Sequence, residues 1–269
     1  MPRLSVPAAG CLIFAFAVLP TAAAPRIAPE SCQASALREE RLASVSPRGE
    51  LALTSGARTI LDGIHWPETE PEATQAAAHL AGLWGRGLAI SQRGEVDRWG
   101  RARIDAVAEP VLETDEPADL ATGLVAVGLA HADAGESDVF CRTDLIKLEA
   151  EPRRDRRGIW REPVLAAGDG PALATHAGTF IIAEGRIVGV GERAERTYLD
   201  FARHAADGLT VTVTKRTWRI MRERGLTAAT LRGRLARVRG RLEVRRGPIL
   251  EIVSADMIEV LEGERALTR

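Results

Sequence analysis

The fold of this chain is decided by the stretch Gly63-Ile64-His65-Trp66-Pro67-Glu68, where an apolar strand runs into a loop that carries a carboxylate. Upstream, residues 50–53 and 58–64 cluster or alternate apolar side chains around the turn Thr54-Ser55-Gly56, which predicts a β-hairpin. Downstream, apolar residues recur at helical spacing from Glu72 to Trp84. A hairpin, an acidic loop and an alanine-rich helix are therefore predicted in series.

The segments that follow continue a small mixed domain. Residues 88–91 and 103–107 are predicted as strands on either side of a turn around Gly94. A helix is predicted over 120–127, where Gly128 ends it, and a last helix over 143–154. The order strands, helix, strands, helix, helix describes a β-rich α+β unit.

Four motifs in this unit resemble those of the thermonuclease, or staphylococcal-nuclease-like, family, and the resemblance covers most of residues 42–160. Each motif alone is weak, but all four occur in order and at fitting distances. The resemblance implies a five-stranded OB barrel flanked by helices. The matching segments are Gly63-Ile-His-Trp-Pro-Glu68, Asp97-Arg-Trp-Gly-Arg101, Leu120-Ala-Thr-Gly-Leu-Val-Ala-Val-Gly-Leu-Ala130, and Glu149-Ala-Glu-Pro-Arg153 with Gly158-Ile-Trp160.

The chemistry that the resemblance implies is hydrolysis of a phosphodiester, with a Glu as base, two Arg residues on the phosphate and Asp ligands for one calcium ion. Guanidinium groups and a hard cation stabilise the negative charge that gathers in the transition state. The resemblance assigns the base to Glu68 and the second arginine to Arg101. Ile60 occupies the position of the first arginine, and His65 and the turn Pro47-Arg-Gly-Glu50 occupy those of the calcium aspartates.

Neighbouring residues are candidates to replace the missing groups. Arg58 and Asp62 lie two residues either side of Ile60, so strand alternation predicts that they share its face. Asp62 and His65 together would form a metal site softer than a calcium cage. Because the calcium ligands of the family are not retained, no cofactor is expected.

Two functions stay open for the first unit. One is an active or weak phosphodiesterase that uses Glu68 and Arg101, with Arg58 as a substitute for the lost arginine. The other is a protein with a depleted site that binds nucleic acid or another polyanion without efficient hydrolysis. In the second case Glu68 and Arg101 survive as a salt bridge or turn contact inherited with the fold.

A second unit is predicted after a linker at residues 161–171, which is rich in Pro and Gly. Residues 172–263 show three strands, a helix and two further strands, a pattern that looks like the small nucleic-acid-binding OB modules. The whole chain is therefore predicted to be β-rich α+β with two OB barrels, a nuclease-like barrel with flanking helices and a smaller OB-like domain.

The second unit is basic, and its arginines recur at period two. Residues 171–269 hold 18 Lys and Arg against 12 Asp and Glu, whereas residues 1–170 hold 18 against 25. Arg234, Arg237, Arg239 and Arg241 are the candidate nucleic-acid-binding residues, because a row of guanidinium groups on one strand face neutralises phosphates. The alternative is a solvated strand face in which carboxylates such as Glu259 pair with the arginines.

The chain ends and the cysteines indicate the compartment. Residues 1–24 combine a short basic start, an apolar run and small residues, as in a signal peptide, and the run is too short for a membrane anchor. Export to the periplasm or the medium is predicted. Cys32 and Cys141 would then meet an oxidising space, so a disulfide between them is expected. Nothing in the sequence indicates the oligomeric state.

Overall fold

A computed structural model describes residues 32–110 and 117–261. The predicted signal peptide at residues 1–24 lies outside these ranges. Within them, no helix combines the length and the apolar character that crossing a bilayer requires. The described chain is β-rich, with a closed five-stranded barrel, a curled half-barrel sheet and a few helices.

The first unit is the closed barrel with helices packed around it. The barrel strands follow the order β3-β2-β1-β5-β6, and a parallel pairing of β3 with β6 closes the ring. A separate ribbon pairs β4 with β8, which places His65 directly opposite His131. The strands are β1 (Arg38–Val45), β2 (Leu51–Leu53), β3 (Arg58–Leu61), β4 (Ile64–His65), β5 (Gly87–Arg93), β6 (Ala102–Ala108), β7 (Ala118–Asp119) and β8 (His131–Ala132), and the helices are α1 (Glu72–Ala81), α2 (Leu120–Val127), α3 (Asp144–Leu148) and α4 (Ala150–Arg154).

Local sequence explains the boundaries of the best-defined helix. Asp119 precedes α2, and its carboxylate accepts a hydrogen bond from the Thr122 N–H at 2.7 Å, which satisfies one of the unpaired donors of the first turn. Gly128 follows the helix with φ +79°, a left-handed conformation that favours glycine. Between them, Leu124 and Val125 are fully buried. The helix begins and ends where the sequence predicts.

The second unit is the curled sheet. Its strand order is β11-β12-β13-β15-β14-β10-β9, with β13 parallel to β15 and with β16 paired to β14. The strands are β9 (Leu165–Ala166), β10 (Phe180–Arg186), β11 (Gly189–Glu192), β12 (Arg196–Asp200), β13 (Thr210–Thr214), β14 (Leu235–Val244), β15 (Pro248–Ile252) and β16 (Ile258–Val260), and the helices are α5 (Gly170–Ala174), α6 (Lys215–Glu223) and α7 (Ala228–Leu231).

The two units are joined by more than the chain between them. One continuous cluster of buried apolar side chains extends from Leu42 in the barrel to Ile258 in the curled sheet. The segment 161–171, expected as a linker, contains β9, which pairs in parallel with β10, and the start of α5. Cys32 and Cys141 form a disulfide bond, with Cα atoms 5.4 Å apart, and it ties the segment before β1 to the segment before α3.

Candidate functional site

Glu68, the residue that the resemblance makes a base, is bonded to the second unit. It lies in the loop between β4 and α1, and its side chain is 32% exposed. Its Oε1 accepts a hydrogen bond from the Arg241 guanidinium at 2.6 Å, and its Oε2 accepts one from the Phe180 N–H at 3.2 Å. Both carboxylate oxygens are therefore used by residues of the curled sheet.

The surroundings of Glu68 lower the pKa of its carboxyl from 4.5 to about 2. The contact with His65 is the largest cause, burial acts in the opposite direction, and the Phe180 N–H and the charge of Arg241 lower the pKa further. A carboxylate with so low a pKa is a weak proton acceptor at neutral pH, because a general base works best when its pKa lies near the working pH.

His65 is held between the two units. Its Nε2 lies 3.5 Å from Glu68 Oε1, and its Nδ1 lies 3.9 Å from Asp133 Oδ2. The ring of Phe180, the first residue of β10, stacks on the His65 ring with centroids 4.2 Å apart and an angle of 13° between the planes. Phe180 also faces His131 at 5.6 Å. One aromatic ring of the second unit thus covers both histidines of the β4–β8 ribbon.

Arg101 lines the same cleft as Glu68, a cavity of about 840 Å³ at the junction of the units. It follows the turn between β5 and β6, where its guanidinium bonds to Asp97 at 2.8 Å and lies 4.9 Å from the ring of Trp99. The Asp97 carboxylate also accepts the backbone N–H groups of Trp99 and Arg101, which fixes the turn. Among the described contacts, none joins Arg101 to Glu68; Arg101 makes a salt bridge within its own turn, and Glu68 makes one with Arg241.

Four arginines line this cleft, three from the barrel and one from the curled sheet. Arg48 is exposed, and no carboxylate among residues 32–110 and 117–261 pairs with it. Arg103 lies 3.7 Å from Asp62 Oδ1, a loose contact. The four are Arg48, Arg101, Arg103 and Arg241, and the acidic residues of the lining are Glu68, Glu70 and Asp133.

Arg58 does not reach the position of the missing arginine. Its Nε and Nη2 form a bidentate pair with the two oxygens of Glu50 at 2.8 and 2.7 Å, and its Nη1 donates to the carbonyl of Trp99. Ile60, two residues along β3, lines the cleft, whereas Arg58 is not part of the lining. The guanidinium is already matched to a carboxylate with the planar geometry that binds it best.

The residues present do not fit the calcium ion that the family resemblance implies. At one expected ligand position His65 offers a nitrogen, and calcium prefers oxygen ligands. At the other, the turn that precedes Glu50 is covered by Trp66, whose indole N–H donates to the Pro47 carbonyl and whose ring would lie 2.4 Å from a Cβ placed on Gly49.

Asp62 and His65, the alternative metal ligands, contact different residues. Asp62 lies among arginines, 3.7 Å from both Arg93 and Arg103, and its pKa is raised chiefly by burial. His65 instead contacts Glu68 and Asp133. Over the described part of the chain, no group of three His, Cys, Asp or Glu side chains is arranged to hold a metal ion.

In the arginine row of β14, Arg237 and Arg239 are buried against carboxylates rather than exposed to solvent, and this corrects the expectation of a phosphate-binding strand face for these two residues. Arg239 is only 1% exposed, and its guanidinium bonds to Glu149 at 2.8 Å, to Glu259 at 2.6 Å and to the carbonyl of Ala132. Arg237 is 6% exposed and bonds to Glu184 and Glu259. Carboxylates of both units, of which Glu149 is fully buried, satisfy these two charges.

The two ends of the row differ from its middle. Arg241, whose side chain is 59% exposed, reaches across to Glu68, and Arg234 is half-buried just before β14 begins. The alternative pairing with Glu259 therefore describes Arg237 and Arg239, although they are buried rather than solvated. Of the four candidates, Arg241 is the one that lines the cleft of about 840 Å³.

The pair of Arg239 and Glu149 is the most buried ionic contact between the units. Burial opposes the charge on Arg239, but the carboxylates of Glu149 and Glu259 raise its pKa above the ordinary value of an arginine. Glu149 also accepts the N–H of Ala132 at 2.7 Å. In the sequence, Glu149 is only part of a motif that resembles the family, because no local pattern predicts a partner 90 residues away.

Comparison with known protein families and with curated proteins finds no match for this chain.

Proposed function

We propose that this protein is a thermonuclease-like protein with a depleted catalytic site, which binds nucleic acid or another polyanion without efficient hydrolysis. We further propose that both of its β-structures are OB folds. The strand order supports this assignment. In the barrel, β1, β2, β3, β6 and β5 are neighbours in that order, and β3 is parallel to β6. In the curled sheet, β11, β12, β13, β15 and β14 are neighbours in that order, and β13 is parallel to β15. OB folds commonly bind oligonucleotides.

The observation that carries the proposal is the state of Glu68. Arg241, Phe180 and His65 engage its two oxygens, and its pKa is about 2. A water molecule would have to compete with a charged hydrogen bond for the same oxygen, and the carboxylate would take up its proton poorly. Removal of one electrostatic element of such a site costs about 100-fold to 1000-fold in rate.

Binding requires less of the site than hydrolysis does. Phosphate groups need only positive charge at suitable spacing, and the cleft keeps four arginines around about 840 Å³. Arg48 has no carboxylate partner in the described ranges, and Arg103 has only a loose one. These two are therefore the groups most available to a polyanion. The disulfide between Cys32 and Cys141 supports the accompanying proposal that the protein is exported.

The test is to measure binding and cleavage in the same samples. A labelled single strand of about 12 nucleotides, a length suited to one OB site, is titrated by fluorescence anisotropy at several salt concentrations, with and without calcium, and then examined on a gel. We expect binding that weakens with salt and an intact strand. In Arg48→Ala and Arg103→Ala the slope of log affinity against log salt should fall by about 0.7 each. Arg222→Ala, on an exposed helix face away from the cleft, is the matched control.

Two results would overturn the proposal. Cleavage that disappears in Glu68→Gln would establish the alternative, a phosphodiesterase that uses Glu68 and Arg101. Failure of the wild-type protein to bind either the oligonucleotide or inorganic polyphosphate at low salt would remove polyanion binding altogether.

A further inference from the structure

A second groove continues the cleft onto the curled sheet. It has a volume of about 500 Å³ and shares four lining residues with the cleft, namely His65, Asp133, Gly135 and Arg241. The two cavities therefore adjoin at the contact between the units.

Tyr198 offers a flat aromatic surface in this second groove. It is half-buried in β12, and its hydroxyl has no hydrogen-bond partner within the described ranges. On the neighbouring strand Gly191 is its direct register partner, and a Cβ placed on Gly191 would meet nothing within 4 Å. Open space therefore lies at the position of β11 opposite Tyr198, where a larger residue would extend beside the tyrosine side chain.

The other aromatic candidates of the second unit are less available to a ligand. Phe201 and Trp218 are 5% and 2% exposed, and Phe180, which also lines the groove, has its ring stacked on His65. Tyr198 is the single tyrosine of the whole chain. It is thus an aromatic side chain of the groove for which the described residues supply no stacked ring.

The charges of the second groove differ from those of the cleft. Arg196 is paired with Glu251, Arg239 with Glu149 and Arg245 with Glu243, so the three arginines that line this groove and not the cleft are each matched by a carboxylate. Such a surface does not neutralise phosphates. Its contribution to a polyanion would be stacking and hydrogen bonding, which depend on the bases rather than on the backbone.

We propose that the cleft and the groove form one track for single-stranded nucleic acid, in which phosphates lie against the arginines of the cleft and a base stacks on Tyr198. This inference rests on the proposed function and narrows its ligand from polyanions in general to those that carry bases. Base–aromatic stacking is sequence-tolerant and strong enough to change affinity about tenfold or more for one base.

The experiment compares a trinucleotide, a strand of about 12 nucleotides and inorganic polyphosphate, each titrated with the whole two-unit protein. Tyr198→Ala should weaken binding of the long strand about tenfold or more, with no change in the salt slope, and should leave the trinucleotide and polyphosphate unaffected. Tyr198→Phe should bind like the wild type. Gly191→Leu keeps the tyrosine but fills the space beside it, and it should reproduce the loss.

A direct readout comes from the wild-type protein itself. Because the chain has one tyrosine, incorporation of 3-fluorotyrosine gives one ¹⁹F resonance. This resonance should shift when the long strand is added and stay in place when polyphosphate is added. The measurement does not depend on whether a variant folds.

The outcomes separate the two proposals. If the long strand binds Tyr198→Ala as tightly as the wild type and the resonance does not move, the track is overturned while binding in the cleft stands. If Tyr198→Ala weakens polyphosphate equally, base stacking is overturned. If the wild type binds none of the three ligands, the proposed function itself fails.

Discussion

At the scale of single residues, the meaning of a side chain here depends on its partner rather than on its motif. Glu68 and Arg101 both line the cleft between the units, yet Glu68 is bonded to Arg241 and Arg101 to Asp97. His65, within the motif, lowers the pKa of Glu68 most, and Phe180 and Arg241, which lower it further, lie more than a hundred positions away in the sequence. The local motif therefore identifies the acid but only part of what sets its pKa.

The lowered pKa of Glu68 predicts a specific dependence of stability on pH. A carboxyl with a pKa of about 2 in the folded protein and about 4.5 when unfolded adds stability above pH 4.5 and loses it as the pH falls towards 2. Glu68→Gln should therefore be less stable than the wild type at pH 6, and the difference should shrink between pH 4.5 and 2. Urea denaturation at several pH values measures it.

The matched control for this prediction is Arg241→Ala. Loss of Arg241 removes one of the causes of the shift, so an NMR titration of the Glu68 carboxyl should show a higher pKa in this variant than in the wild type. A wild-type carboxyl that titrates near 4.5 would contradict the assignment.

At the scale of elements, periodicity in the sequence predicted most strands and helices, and failed where packing decides. α2 occurs over the residues expected. β1, with the sequence Arg38-Glu-Glu-Arg-Leu-Ala-Ser-Val45, was not predicted, because charged residues with little alternation give no strand signal and its pairing with β2 and β5 forms it. The helix expected over 143–154 is divided into α3 and α4 at Glu149, whose buried carboxylate bonds to Arg239.

The arginine row of β14 shows what the sequence could and could not supply about the site. Period two correctly placed Arg237, Arg239 and Arg241 on one face. The same pattern describes a row that faces phosphates and a row that faces carboxylates of the protein itself. Only the fold brings Glu149, Glu184 and Glu259 to the row, so the choice between the two could not be made from spacing.

Arg239→Met tests the buried pair in this row. The change leaves Glu149 charged and uncompensated in the interior, which should cost about 3–5 kcal/mol of unfolding free energy. Adding Glu149→Gln should restore much of the loss, because the amide oxygen can still accept the Ala132 N–H without a charge. Urea denaturation of the single and double variants gives both values.

The control for the buried pair is Arg241→Met, in the same strand. Its side chain is 59% exposed, and partly exposed pairs contribute about 1 kcal/mol or less. Equal losses in Arg239→Met and Arg241→Met would show that burial does not set the cost.

At the scale of the whole molecule, the two units form a single body. They share one apolar core, the Arg239–Glu149 pair and the Phe180–His65 stack, and their clefts meet at Arg241. The charge difference and residues 161–171 predicted two units. The two units have separate sheets, but their apolar side chains pack in one continuous core.

Loss of the disulfide should destabilise this body as a whole. The bond closes a loop of 109 residues, and the chain-entropy account assigns up to about 4–5 kcal/mol to such a loop. A Cys32→Ser, Cys141→Ser variant should therefore unfold at lower urea than the oxidised wild type. Reductant should lower the wild-type midpoint and leave the variant unchanged, and equal midpoints for oxidised and reduced wild type would contradict the prediction.

The bond between Glu68 and Arg241 also has a consequence for how the chain would change over generations. A glutamate that served only catalysis would be free to mutate in a protein that does not hydrolyse its ligand. Glu68, however, accepts hydrogen bonds from two residues of the curled sheet. Its identity is held by a neighbour, and a lineage that lost the second unit would be free to replace it. Persistence of this glutamate among descendants would therefore record the joining of two units, not the survival of turnover.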